Sequence, residues 1–182
     1  ELKGVGINMN LAPVVDIAHE DIDSIMADRS FGSAPERVSK LGVAIIENLQ
    51  KGNVMAVAKH FPGIGRTTLD SHLDMPHLDI GMKEMVETDL VPFQAAIRHG
   101  VAGIMLSHIR YKKIDPLWPA SLSSVVATDS LRRRLGFDGV VMTDDLDMGA
   151  IKNHYDIHTV IRQIVSADID IALICHKGPD IE

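Results

Sequence analysis

The chain has 182 residues, a formal net charge of −7, 46% hydrophobic residues and a single cysteine, Cys175. That composition supports one sizeable core and excludes a disordered chain. The mixed, acidic charge leaves no basic stripe to neutralise nucleic-acid phosphates, so nucleic acid is not an expected partner. One cysteine excludes an internal disulfide and a cysteine metal cluster, which suits a reducing compartment and makes the cytoplasm the default location. No apolar run reaches the roughly 20 residues that span a bilayer and no signal peptide opens the chain, so no membrane partner is expected. The first residue is Glu1 rather than methionine, and a preceding segment is expected to be missing.

The first strand candidate is "INMNLAPVV", 7–15. Val38, Leu41, Ile45 and Leu49 then mark one face of a helix over 36–50, with Gly52 as its stop signal. A second buried strand reads from "VMAVAK", 54–59, and runs into a long segment rich in proline, glycine and charge up to Pro76. Pro92 to His99 predicts a helix with proline near its start and Gly100 past its end. The strand "AGIMLS", 102–107, follows, then a short helix Leu131 to Leu135, with Thr128 and Asp129 available as caps and Gly136 as terminator. "DGVVMT", 138–143, is a fourth strand; a helix fills about 156–166, and "DIDIALIC", 168–175, is the fifth strand.

Strands alternating with helices imply βα units around a parallel sheet, and continuous apolar strands are expected where both faces are covered. The fold class is therefore α/β. "FPGIG" follows a strand but lacks the GxGxxG spacing and the phosphate-loop lysine, which disfavours a nucleotide fold. A (β/α)8 TIM-barrel-like architecture fits better, and because such a barrel takes about 250 residues, five strands predict an incomplete barrel fragment. Polar residues gather where the strands stop: Asp16, then Lys59 and His60, Ser107 and His108, Asp144 and Asp145, and His176 and Lys177. Those are the C-terminal strand ends on which barrel enzymes build their sites.

Two segments carry most of the chemistry. In "KHFPGIGRTTLDSHLDMP", 59–76, Asp70 stands two residues before His72. The pair reads either as a solvated turn or as a carboxylate that fixes the tautomer of an imidazole, leaving its other nitrogen free as general acid or base. In "GFDGVVMTDDLDMGA", 136–150, Asp144 reads as a nucleophile for a developing cation, as a metal ligand, or as part of an Asp-rich helix cap with Asp145 and Asp147. The absence of an EF-hand or HExxH spacing weakens the metal reading. Arg29, in the loop "ADRSFGSAPE", could fork onto a ligand or pair with Asp28. His99, His154 and His158 read as surface residues on or near helices, and the nine methionines as core filler.

Taken together, "GINMNLAPVVDI", "DRSFGSAPERV", "KHFPGIGRTTLDSHLDMP", "IMLSHIRYKKIDPLWPASLS" and "LGFDGVVMTDDLDMGAI" stand in the order and spacing of a known domain. The chain resembles, over essentially its whole length, the N-terminal barrel domain of glycoside hydrolase family 3, in its bacterial β-N-acetylhexosaminidase branch. The resemblance implies that residues 1–182 are a partial barrel domain, with the first strands and closing helices missing. It implies Asp144 as the nucleophile of a retaining reaction, His72 as the acid and then base in a dyad with Asp70, and Lys59, His60 and Arg29 as contacts to sugar hydroxyls. Neither cofactor nor metal is implied. The implied partner is a small carbohydrate, a terminal β-N-acetylglucosaminide from cell-wall or chitin-derived glycans. The family's usual "KHFPGHGDT" differs here at Ile64 and Arg66.

Other functions remain open at this stage. A family 3 β-glucosidase is disfavoured by the "DSH" motif, since that branch takes its acid from a second domain. A phosphorylase is compatible with a histidine acid, which does not repel phosphate as a carboxylate would. The remaining classes are a non-catalytic sugar-binding homologue and a metal-dependent barrel hydrolase.

Overall fold

The computed structural model describes residues 1–176. A 3-10 turn, Leu2–Val5, leads into β1 (Met9–Asn10); α1 (Pro35–Lys51), β2 (Met55–Phe61), β3 (His77–Leu78), α2 (Met82–Val86) and α3 (Val91–Arg98) follow. The second half holds β4 (Gly103–Leu106), β5 (Arg110–Tyr111), a short 3-10 turn at Ala120–Leu122, a π-helix (Val125–Arg134), β6 (Val140–Asp145), α4 (Gly149–Lys152), α5 (Ile157–Ser166) and β7 (Ile171–Leu173). No helix among the described residues is long and apolar enough to cross a membrane.

Five strands form one sheet in the order β1-β2-β4-β6-β7, every pair parallel. Each strand lies beside the next one in this series, with a helical crossover between them, so the sheet winds as half of a (β/α) barrel, as expected for an incomplete one. β3 and β5 pair separately. β1 is shorter than its apolar run because Pro13 has no N–H for the ladder. The chain still tracks β2 past that point, Lys59 N–H donating to the Pro13 carbonyl and Val15 N–H to that of Lys59.

Side chains alternate across the sheet with the period of two that strands impose. Ala56, Ala58, Phe61, Ile104, Leu106 and Val141 join the large core beneath the helices, whereas Val57, Met105 and Met142 form a second small cluster on the opposite face. That second face is the barrel interior, where unbranched methionines fill the taper between strands. Phe61 and Phe93 meet edge to face at 5.2 Å and tie β2 to α3.

The helix expected at Leu131–Leu135 begins earlier, at Val125, so Thr128 and Asp129 lie inside it and cap nothing. Ser123 takes the capping role: its Oγ accepts from Val126 N–H and donates to the buried Asp115 carboxylate at 2.6 Å. Thr128 instead donates to the Ala167 carbonyl, and Asp129 pairs with Arg133 one turn on. Gly100 and Gly136 do end their helices in the left-handed conformation; after α1 that conformation falls on Asn53 rather than Gly52. Asp156 caps α5 through Thr159 N–H. Lys177, placed by the sequence at the end of the fifth strand, lies outside the described residues.

Phe61 is fully buried at the point where β2 leaves the sheet for the site, and a full-length Phe61→Ala variant is expected to lose about 3–5 kcal/mol in urea unfolding. A loss below about 1 kcal/mol would show that β2 and α3 collapse around the missing ring.

Candidate active site

The C-terminal ends of β2 and β6 converge with the loop 62–76 and with Ile25 and Arg29 on one cleft of about 330 Å³. Arg29, Lys59, His60, Asp70, His72 and Asp144 all line it, together with Ser71, Ile25, Ile64 and Met148. The six residues to which the family resemblance gave roles thus lie on the same cleft, although they come from four separated segments; Asp16, Ser107, His108 and Asp145, also at strand ends, do not line it.

Asp16 organises the floor. Its carboxylate is fully buried and accepts His60 Nδ1–H at 2.7 Å, His60 backbone N–H at 3.1 and 3.2 Å, and Ile64 N–H at 2.9 Å. Holding Nδ1–H on Asp16 turns the other ring nitrogen toward the cleft, where His60 Nε2 is 4.0 Å from Asp144 Oδ2. Asp144 Oδ1 is occupied by Asp145 N–H at 2.9 Å, which leaves Oδ2 as the oxygen facing His60. Burial by itself raises the Asp144 pKa; the imidazoles of His60 and His108, the Asp145 N–H and the Lys59 ammonium outweigh it and hold the carboxyl below its ordinary 3.8. Lys59 is pulled below its ordinary 10.5, first by burial and then by Arg29, against the opposing attraction of Asp144 and Asp16.

His108 supports this edge from beneath. Its Nε2 lies 2.8 Å from the Asp145 carbonyl and must donate to it, so Nδ1 accepts from Ser121 Oγ at 2.7 Å. Complete burial lowers its pKa, against the attraction of Asp144 and Asp145. Asp145 accepts N–H bonds from Asp147 and Cys175, and α4 starts at Gly149 with Met148 as its flanking residue. The Asp-rich stretch is therefore not a helix cap.

The opposite wall carries the Asp70–His72 pair. His72 Nδ1 lies 2.7 Å from Asp70 Oδ1, which also accepts the His72 backbone N–H at 2.9 Å. The backbone bond is the largest of the effects that hold the Asp70 carboxyl below its ordinary value, ahead of the ring bond and the charges of His72 and Arg29. This arrangement fixes Nδ1 as the proton-bearing nitrogen bonded to Asp70 and leaves Nε2 free. Both side chains remain about half or more exposed, at 66% and 48%.

The two departures from the family motif part company here. Ile64 is buried and lines the cleft, adding an apolar surface beside Ile25 and Met148. Arg66 turns away: its Nε meets the buried Asp89 carboxylate at 2.9 Å and its Nη2 donates to Thr88 Oγ1. Gly65 between them permits no side chain, since a Cβ would stand 1.7 Å from the Ile17 carbonyl oxygen. Arg29 reaches the cleft, and no Arg29–Asp28 ion pair forms among the described residues. Sequence reading placed Asp16 at a strand end without a role and passed over Asp89 altogether; strand-end position was the only signal for the first.

Asp145, Asp147 and His176 place one ligand atom each within 4.8 Å of one another. Their oxygens already serve local bonds, to Cys175 N–H, His176 N–H and Lys152 Nζ, and none of the three lines the cleft.

Comparison with known proteins agrees with this architecture. Residues 1–180 match the sequence profile described as "Glycosyl hydrolase family 3 N terminal domain", and the chain belongs to that family. A "Beta-hexosaminidase" of Thioalkalivibrio sulfidiphilus is 39% identical over 176 residues, covering 97% of this chain and 50% of the relative. Among solved structures, a "glycoside hydrolase family 3 beta-N-acetylglucosaminidase" from Paenibacillus superposes with a TM-score of 0.93 at 38% identity, over 97% of this chain and 34% of that one. NagZ from Neisseria gonorrhoeae, solved with N-trifluoroacetyl-D-glucosamine, gives 0.85 at 34% identity, over 96% of this chain and 49% of that one. The chain thus spans about half the length of the curated relatives it matches.

Asp16 is tested by Asp16→Asn. The amide turns an N–H toward the donors that a carboxylate oxygen had accepted, and unfolding stability should fall by about 3 kcal/mol or more. A change under about 1 kcal/mol would mean that the strand ends hold together without this carboxylate.

Proposed function

We propose that the protein to which this chain belongs is a retaining exo-β-N-acetylglucosaminidase, and that the chain is the site-bearing part of its barrel domain. The observation that carries the reading is an ionised, immobilised carboxylate and a carboxylate-oriented imidazole on walls of one cleft. The cleft volume is at the lower end of small-molecule sites, which suits a single terminal sugar.

In the first half of the reaction Asp144 Oδ2 attacks the anomeric carbon while His72, entering as the imidazolium with Nδ1–H on Asp70, delivers its Nε2 proton to the departing glycosidic oxygen and becomes neutral. The C–O bond to the aglycone breaks and an ester to Asp144 forms. In the second half His72 Nε2 takes a proton from water, the water oxygen attacks the same carbon, and the Asp144 carboxylate departs. Two inversions retain the configuration. Asp70 keeps Nδ1–H engaged, so proton traffic uses only Nε2, and it offsets the positive charge on the imidazolium when that forms. Arg29 and Lys59 supply donors for sugar hydroxyls, and His60 offers its Nε2 to them. Ile25, Ile64 and Met148 offer the apolar contact that an acetamido methyl group needs.

Turnover of p-nitrophenyl β-N-acetylglucosaminide by the full-length protein tests these roles. Asp144→Ala should lose about 10³-fold or more in kcat, and azide added to it should restore glycosyl transfer with inverted configuration. His72→Ala should lose about 10²–10⁴-fold on substrates with a poor leaving group and far less on an activated one. Running the assay with and without phosphate identifies the second acceptor as water or phosphate from the product, free sugar or sugar 1-phosphate. Uniform loss across leaving groups in His72→Ala would remove it from the acid role.

The pH dependence has a definite sign. The folded-state value of Asp144 lies below its unfolded one, so its charged form contributes stability above the unfolded value, and that contribution disappears as pH falls through the folded value. Carboxyl titration by NMR should place the Asp144 midpoint below 3.8. A midpoint above that figure would leave the nucleophile short of the stabilising charge assigned to its neighbours.

A further inference from the structure

The loop that carries Asp70 and His72 is fastened to the segment that follows the Asp144 strand. Gly149 N–H donates to the His72 carbonyl at 3.1 Å, and Ala150 N–H to that of Ser71 at 3.0 Å. A Cβ on Gly149 would stand 2.5 Å from the Leu73 oxygen and 2.7 Å from that of His72, so the approach requires glycine. One turn further on, Asn153 Nδ2 donates to the Leu73 carbonyl at 3.3 Å, and His154 Nε2 pairs with Asp74 Oδ1, which also accepts Met75 N–H. Arg110 Nη2 completes the seam between Met75 Sδ and Tyr155 Oη.

Side-chain packing does little to hold this loop: Leu73 is 70% exposed, Leu69 is 42% exposed and the His72 side chain is largely exposed at the mouth of the cleft, with Met75 the buried anchor at the far end. The location of His72 Nε2 therefore depends on where polar bonds hold the backbone of 71–74. A general acid must come within hydrogen-bond reach of the oxygen it protonates, and a misplacement of about 1 Å can cost on the order of 10²-fold in rate. The hydrogen bond from His154 is also the main cause that holds the Asp74 carboxyl below its ordinary value.

We propose that His154 and Asp74 form a latch, assisted by Asn153, that positions the acid/base histidine over the cleft. Both are positioning residues: neither touches the cleft, and each acts through the backbone of His72. The inference rests on the reading of His72 as acid/base. It couples the two halves of the chemistry mechanically, because the segment that delivers the nucleophile also holds the proton donor.

The test uses the full-length protein and two substrates, an N-acetylglucosamine disaccharide with a sugar leaving group and a dinitrophenyl N-acetylglucosaminide whose leaving group needs no proton. His154→Ala and, independently, Asp74→Asn should lower kcat/KM about tenfold or more on the disaccharide and less than about twofold on the dinitrophenyl substrate, with thermal stability unchanged. His154→Gln, whose amide can still donate to Asp74, should recover most of the disaccharide rate. Equal losses on both substrates, or none on either, overturn the latch. His72→Ala run alongside separates the two readings. A leaving-group-dependent loss there without one in His154→Ala overturns the positioning role alone. Its absence in His72→Ala overturns the acid/base assignment and the latch with it.

Discussion

One buried carboxylate joins the parts from which the cleft is made. Asp16 stands at the end of the first strand segment and takes up the backbone and ring of His60, at the end of the second, and the backbone of Ile64, in the turn beyond. A carboxyl with no exposure to water is tolerable only when its oxygens are met by hydrogen-bond donors, and these are met by three. The same bonds that satisfy Asp16 set the tautomer of His60 and aim its Nε2 at Asp144. Satisfying a buried carboxyl and orienting one wall of the cleft are here the same event.

The parallel half-barrel makes this possible by bringing every strand's C-terminal end to one side. Neighbouring strands then present consecutive chemistry: Asp16 after β1, Lys59 and His60 in β2, His108 after β4, Asp144 in β6. Beneath them the apolar alternation of β2, β4 and β6 divides the core into an outer layer and a methionine-lined interior. The site is polar and partly open, and several of its groups are held by hydrogen bonds from neighbouring carboxylates and backbone. That is visible in the Asp144 carboxylate, one oxygen of which is spent on the next residue's N–H so that the other faces the cleft alone.

Much of this was legible in the sequence for identifiable reasons. Strands of a covered parallel sheet read as unbroken apolar runs, and all five were placed. The strand ends were placed as well, and of the residues at them Lys59, His60 and Asp144 line the cleft. What the sequence did not disclose were partnerships between distant positions. Asp16 and His60 are 44 residues apart, and no local period connects them. His154 read as an ordinary surface histidine because its partner Asp74 lies 80 residues away. The cap of the π-helix was misplaced because "SLSSVVATDS" offers several hydroxyl and carboxylate side chains of equal local merit, and only the tertiary bond from Ser123 to Asp115 decides among them. Arg66 departs from the family motif, and in the fold it pairs with Asp89 and does not line the cleft.

The central claim is that Asp144 becomes covalently attached to the sugar during turnover. The direct measurement is to incubate the full-length protein with a fluorinated N-acetylglucosaminyl fluoride that glycosylates readily and deglycosylates slowly, digest it, and locate the adduct by tandem mass spectrometry. The account predicts one glycosyl group per chain, on Asp144, with loss and recovery of activity tracking its formation and release. An adduct on another side chain, or inactivation with none, would contradict it.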